Sequence, residues 1–90
     1  MAVTALKMKI LPESVDTDLE ELRKQIEESL KKSGAVRIES IEEEEIAFGL
    51  KALIVTIAWP ESLETEQAEQ ACQIQGVSSV EIIDYRRAFG

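Results

Sequence analysis

Ninety residues with 44% hydrophobic and 31% charged side chains are enough for one small globular domain and too few for two separate cores. A formal charge of -8, from 18 acidic against 10 basic residues, disfavours a general phosphate-backbone binder and suits either a basic partner or simple solubility. With no histidine and one cysteine, imidazole-dependent catalysis, His/Cys zinc sites and an internal disulfide are excluded, and the free thiol fits a reducing compartment.

The amino-terminal stretch lacks the apolar region of a signal peptide, and no segment approaches the roughly 20 apolar residues of a membrane span, so the expected location is cytoplasmic. From Ala2 to Leu11 the even positions Ala2, Thr4, Leu6, Met8 and Ile10 share one face and Lys7 and Lys9 the other, which is the period of a half-covered strand. Pro12 closes it. Thr17-Asp18-Leu19-Glu20 reads as a capping box with Thr17 at the N-cap, opening a helix whose apolar stripe is Leu19, Leu22, Ile26 and Leu30. Lys31, Lys32 and Gly34 supply its cationic last turn and left-handed stop.

Alternation over Ala35 to Ile41 predicts a second strand at a sheet edge, and the run Glu42-Glu43-Glu44-Glu45 reads as a solvated hairpin loop, since adjacent like charges repel. Leu50 to Trp59 is apolar on both faces and should be a central strand ended by Pro60. Ser62 or Thr65 would cap a second helix with the small apolar face Ala68, Ala71, Cys72 and Ile74, ending near Gly76. Val77, Val80, Ile82 and Ile83 form a last strand that runs into the tail Asp84 to Gly90. Strand, helix, strand, strand, helix, strand with right-handed crossovers predicts an α+β ferredoxin-like βαββαβ two-layer sandwich. Its four-stranded antiparallel sheet would have the first and third strands at the centre and two helices on one face.

Chemistry is sparse. The glycines at 34, 49, 76 and 90 form no phosphate-cradling loop, the carboxylates show no diagnostic pairing, and Cys72 lies on a buried helix face without an activating base. No cofactor or metal site is expected. Two features stand apart: Phe48 beside Gly49 at the mouth of the central strand, and the basic aromatic end Tyr85-Arg86-Arg87-Ala88-Phe89-Gly90 on an acidic protein. Core packing of Phe48 and fraying of the tail are the bland readings of each.

The block Ile46-Ala47-Phe48-Gly49-Leu50-Lys51-Ala52-Leu53, with Thr17-Asp18-Leu19-Glu20-Glu21-Leu22 before it and Val77-Ser78-Ser79-Val80-Glu81-Ile82 after it, resembles the elongation factor 1-beta family. These are guanine-nucleotide exchange factors of translation elongation factor 1-alpha, and the likeness is to the archaeal form, which is the exchange domain alone. The resemblance implies a ferredoxin-like fold and a single exchange domain over residues 1–90. The partner it implies is elongation factor 1-alpha, GDP-bound or nucleotide-free. No covalent chemistry, cofactor, membrane or direct nucleic-acid contact is implied. It places Phe48 on the partner's second domain, with Gly49 and Tyr85 as further partner-binding residues, and Arg87 near the partner's magnesium and phosphates, with Arg86 as the adjacent candidate. Eukaryotic members carry lysine where Arg87 stands. From the residues alone, the rival is a ferredoxin-like regulatory or small-ligand module; an RNA-binding sheet is disfavoured by the acidic charge and the lack of stacking aromatics.

Overall fold

In the computed structural model the described residues are 2–89, with 87–89 described by their backbone alone. The elements run β1 (Ala2–Pro12), α1 (Leu19–Ser33), β2 (Arg37–Ala47), β3 (Leu50–Pro60), α2 (Thr65–Ala71) and β4 (Val77–Phe89). The four strands form one sheet in the order β2-β3-β1-β4, with every neighbouring pair antiparallel. This is the expected ferredoxin-like α+β sandwich, with the first and third strands central.

Leu6, Met8 and Ile10 of β1 lie in register with Ile57, Val55 and Leu53 of β3. With Trp59 and Ile41 they pack against Leu22, Ile26 and Leu30 of α1 and Ala68, Ala71 and Cys72 of α2. The small side chains of α2 let it sit close. Among the described residues no helix is long and apolar enough to cross a membrane.

Helix α1 begins one residue later than the capping-box reading. Asp18, not Thr17, is the N-cap, its Oδ1 accepting from the Glu20 and Glu21 amides at 3.1 and 3.3 Å. Thr17 instead accepts the Ser14 amide through Oγ1, closing the preceding loop. The carboxylate is the better group beside the positive end of the helix dipole. At the other end Gly34 has φ 122° and donates its amide to the Leu30 carbonyl, while a Cβ there would stand 2.6 Å from Leu63 Cδ1. The backbone conformation demands glycine, whereas the crowding is with the end of a flexible side chain that can turn aside.

Neither Ser62 nor Thr65 caps α2; its N-cap is Glu64, with no side-chain cap bond, and the Glu64 carbonyl accepts from Trp59 Nε1 at 3.1 Å. The helix stops at Ala71 rather than near Gly76, because the chain tightens into i to i+3 bonds from Cys72 to Glu69 and Gln73 to Gln70. Ser29 Oγ on α1 donates to the Ala71 carbonyl at 2.6 Å, so one helix satisfies the end of the other.

The largest departure is at the glutamates. Glu42 to Glu45 are not a loop: they continue β2, paired with Ile54, Leu53, Ala52 and Lys51 of β3 in turn. Alternation sends successive carboxylates to opposite faces, all are solvent-exposed on an edge strand, and Lys51 Nζ lies 3.8 Å from Glu43 Oε1. Those three conditions relieve the repulsion that argues for a loop. The carboxyl-terminal tail also differs, because β4 continues past Ile83 and pairs with β1 as far as Ala2 opposite Phe89.

Two outcomes follow from this packing. Ser29→Ala strands a part-buried carbonyl and should lower stability by about 1–2 kcal/mol in urea unfolding. Burial pushes the Cys72 thiol from 9.0 up to about 12. The unfolded chain ionises first, so stability from this group is intact below pH 9 and is lost as pH rises from 9 towards 12. About 1.4 kcal/mol should go by one pH unit above 9. Urea titrations at pH 7 and 10 should show this part of the loss in the wild type and not in Cys72→Ala.

Candidate functional site

Strands β2 and β3 are joined at the tightest available connection. Ala47 pairs with Leu50, leaving Phe48 and Gly49 as a two-residue turn with φ of 51° and 79°. Two positive φ values make this the I′ type, whose twist matches the flanking strands. A Cβ on Gly49 would meet nothing within 4 Å, so glycine is required there by its φ and not by crowding.

Phe48 is the anomaly. The first position of such a turn favours asparagine or glycine, and a bulky residue in the left-handed region costs about 1 kcal/mol. Its ring is 100% exposed, which forgoes roughly 1.5–3 kcal/mol that burial of a large apolar side chain supplies. Core packing of Phe48 is thus ruled out. A residue strained and unburied at once is the kind that structure alone does not maintain.

The second feature lies on β4. Its register with β1 slips by one residue between Lys7, opposite Asp84, and Met8, opposite Ile82, leaving Ile83 as the bulged residue. Beyond the bulge Tyr85 pairs with Leu6 and Arg86 with Ala5. Because Leu6 faces the helices, Arg86 stands on the opposite, open face of the sheet. There Arg86 Nε is 3.2 Å from Asp84 Oδ2, and Asp84 Oδ1 accepts the Tyr85 amide at 2.9 Å. Such an exposed pair is worth about 0–1 kcal/mol. Tyr85 is half exposed. The backbone of Arg87 pairs with Thr4; its side chain lies outside the described residues.

The two features are not one site. Arg86, Ala5, Ala58 and Arg37 form one row across the sheet, whereas Phe48 sits just before Leu50 at the other end of β3. The eight steps from Leu50 to Ala58 span about 26 Å along the strand, most of a molecule whose long axis is 41 Å. Phe48 and Gly49 cap one end of the sheet, and Tyr85, Arg86 and the Arg87 backbone border the other. Asp84, the partner of Arg86, was not marked by the sequence; its signal was only an i, i+2 acid–base pair on a strand.

Among the described residues no group of three or more His, Cys, Asp or Glu could hold a metal ion. Two clefts lie on the open face, one of about 250 Å³ lined in part by Val3, Ala5, Thr56 and Ala58, and one of about 370 Å³ lined in part by Lys7, Glu42, Glu44 and Ile54; only the second reaches the low end of the roughly 300–1,000 Å³ of small-ligand sites. Both features lie on exposed surface, and the charged pair of the second is Asp84 with Arg86.

A family model for the EF-1 guanine nucleotide exchange domain matches residues 5–88. An elongation factor 1-beta of Methanosarcina barkeri is 49% identical over 97% of this chain and 99% of its own length. The elongation factor 1-beta of Methanothermobacter thermautotrophicus is 42% identical over 89% and 90%, and that of Halorubrum lacusprofundi 37% over 91% and 93%. The matched span takes in both the hairpin tip and the row of Arg86, and the chain belongs to the EF-1 guanine nucleotide exchange domain family.

Proposed function

We infer that this chain promotes GDP release and GTP reloading on translation elongation factor 1-alpha, acting in the cytoplasm as a single exchange domain. The observation that carries the reading is Phe48, displayed in full on a strained turn within the matched family span. An exposed aromatic at a hairpin tip is a ready anchor for a pocket on a partner. The partner is engaged in its GDP-bound or nucleotide-free state, and the formal charge of -8 argues against direct contact with nucleic acid.

Exchange needs no covalent step. Nucleotide in such a GTPase is held by magnesium and by phosphate-loop amides, so a protein cation brought to the metal's position displaces the ion while compensating part of the phosphate charge. Accelerating release about a thousandfold means lowering its barrier by roughly 4 kcal/mol, within reach of the loss of one metal coordination site. Arg87 is the residue proposed to supply the cation, with Phe48, Gly49 and Tyr85 holding the partner. A guanidinium is planar and larger than an ammonium, so it clamps a carboxylate or phosphate with paired bonds instead of acting as a point ion.

Release of a fluorescent GDP analogue from elongation factor 1-alpha tests the reading, and an unchanged rate at saturating factor overturns it. Phe48→Asn should raise the factor's own stability by about 0.5–1 kcal/mol, because asparagine suits the turn. The same change should raise the half-saturating concentration roughly thirtyfold through loss of an anchor. Arg87→Ala should instead lower the maximal release rate by roughly a hundredfold while shifting half-saturation little.

A further inference from the structure

Two adjacent arginines, Arg86 and Arg87, lie on β4 opposite Ala5 and Thr4 of β1, and the surroundings of Arg86 bear on what it can do. The bulge at Ile83 resets the alternation of β4 so that Asp84 and Arg86 fall on the same open face, with Lys7 directly across from Asp84 on β1. Both carboxylate oxygens of Asp84 are engaged: Oδ2 with Arg86 Nε at 3.2 Å and Oδ1 with the Tyr85 amide at 2.9 Å. The carboxylate is therefore fixed by backbone before it meets the guanidinium. Were Ile83 paired with Lys7 in regular alternation instead of bulged, Asp84 would stand opposite Leu6 on the helix-facing side, out of line with Lys7.

We propose that Asp84 is a positioning residue that holds Arg86 along the open face of the sheet for docking on the GTPase, leaving displacement of the metal to position 87. This rests on the exchange reading above. A cation that enters a phosphate and magnesium site must arrive without a counter-charge. Arg86 cannot do so, because the Asp84 carboxylate two residues away on the same face would travel with it towards phosphates and metal-binding carboxylates that repel it. The same pairing serves docking well. It narrows the guanidinium's rotamers while leaving the donors not turned to Asp84 free for a carboxylate on the partner, so less order is lost on binding.

The test is release of a fluorescent GDP analogue from elongation factor 1-alpha with full-length Arg86→Ala, Asp84→Asn and the double variant, fitted for maximal rate and half-saturation separately. Arg86→Ala should raise the half-saturating concentration by about tenfold with the maximal rate within about twofold. Asp84→Asn should raise it by about two- to fivefold, as expected for loss of an exposed pair, and should have no further effect when Arg86 is already alanine. A fall in maximal rate in Arg86→Ala, or no change in half-saturation, overturns the proposal. So does an Asp84→Asn effect that persists in the Arg86→Ala background. If the wild type itself fails to accelerate release, the exchange reading fails instead, and the two failures are distinct.

Discussion

Strand β3 carries Leu53, Val55, Ile57 and Trp59 towards the helices and Ala52, Ile54 and Ala58 away from them, and all seven are buried. A strand apolar on both faces needs hydrogen-bonding neighbours on both edges and cover above and below, and the rest of the fold meets that requirement. β1 and β2 take the two edges, and α1 and α2 cover one face. Among the described residues no helix lies on the other. Burial there is achieved by choosing alanine where little surface needs covering and by surrounding Ile54 with Lys7, Glu42 and Glu44, whose aliphatic stems lie over apolar surface while their charges stay in water. An acidic surface and a two-sided core are thus parts of the same solution.

The position of Phe48 follows from that constraint. β3 is buried from Ala52 onward and β2 runs beside it to its start, which puts the glutamates into the ladder and leaves only residues 48 and 49 to reverse the chain. A two-residue reversal between twisted strands needs positive φ at both positions, so the residue before Gly49 inherits an unfavourable backbone whatever its side chain. Asparagine would relieve the strain, and phenylalanine retains it. The turn's backbone sets the direction of the Phe48 Cα–Cβ bond and leaves the ring in solvent.

Period-2 and helical patterns were enough to find β1, α1, β3 and the order of the sheet, because in those elements side-chain burial and local propensity point the same way. They were not enough for the glutamates or for the tail. Both are strand by virtue of what lies beside them: Glu42 to Glu45 pair with a strand that would otherwise lose its ladder, and residues 84–89 pair with the first half of β1. Backbone hydrogen bonding to a neighbour does not show in the side chains of the segment itself. The candidate site had the same character. Phe48, Gly49, Tyr85 and the two arginines stood out by type, but the turn geometry, the bulge at Ile83 and the pairing of Asp84 with Arg86 depend on register. Sequence spacing carries no register across strands.

The separation of the two features, about 26 Å along β3, bears on how an exchange factor divides its labour. A contact made equally with the loaded and the empty GTPase raises affinity for both and shifts nothing between them. Under the proposed exchange mechanism Phe48, at the far end of the sheet from Arg86 and the backbone of Arg87, would serve that uniform role. Only a group at the nucleotide can distinguish the two states, and a cation there does so because the metal it replaces is present in one and absent in the other. The continuous ladder of β1, β3 and β4 joins the two ends, so under the proposed mechanism binding at the hairpin would be spent on holding the carboxyl-terminal strand at the nucleotide. On that proposal an acidic protein would deliver positive charge to a phosphate site without its net charge approaching, since only a single strand end has to.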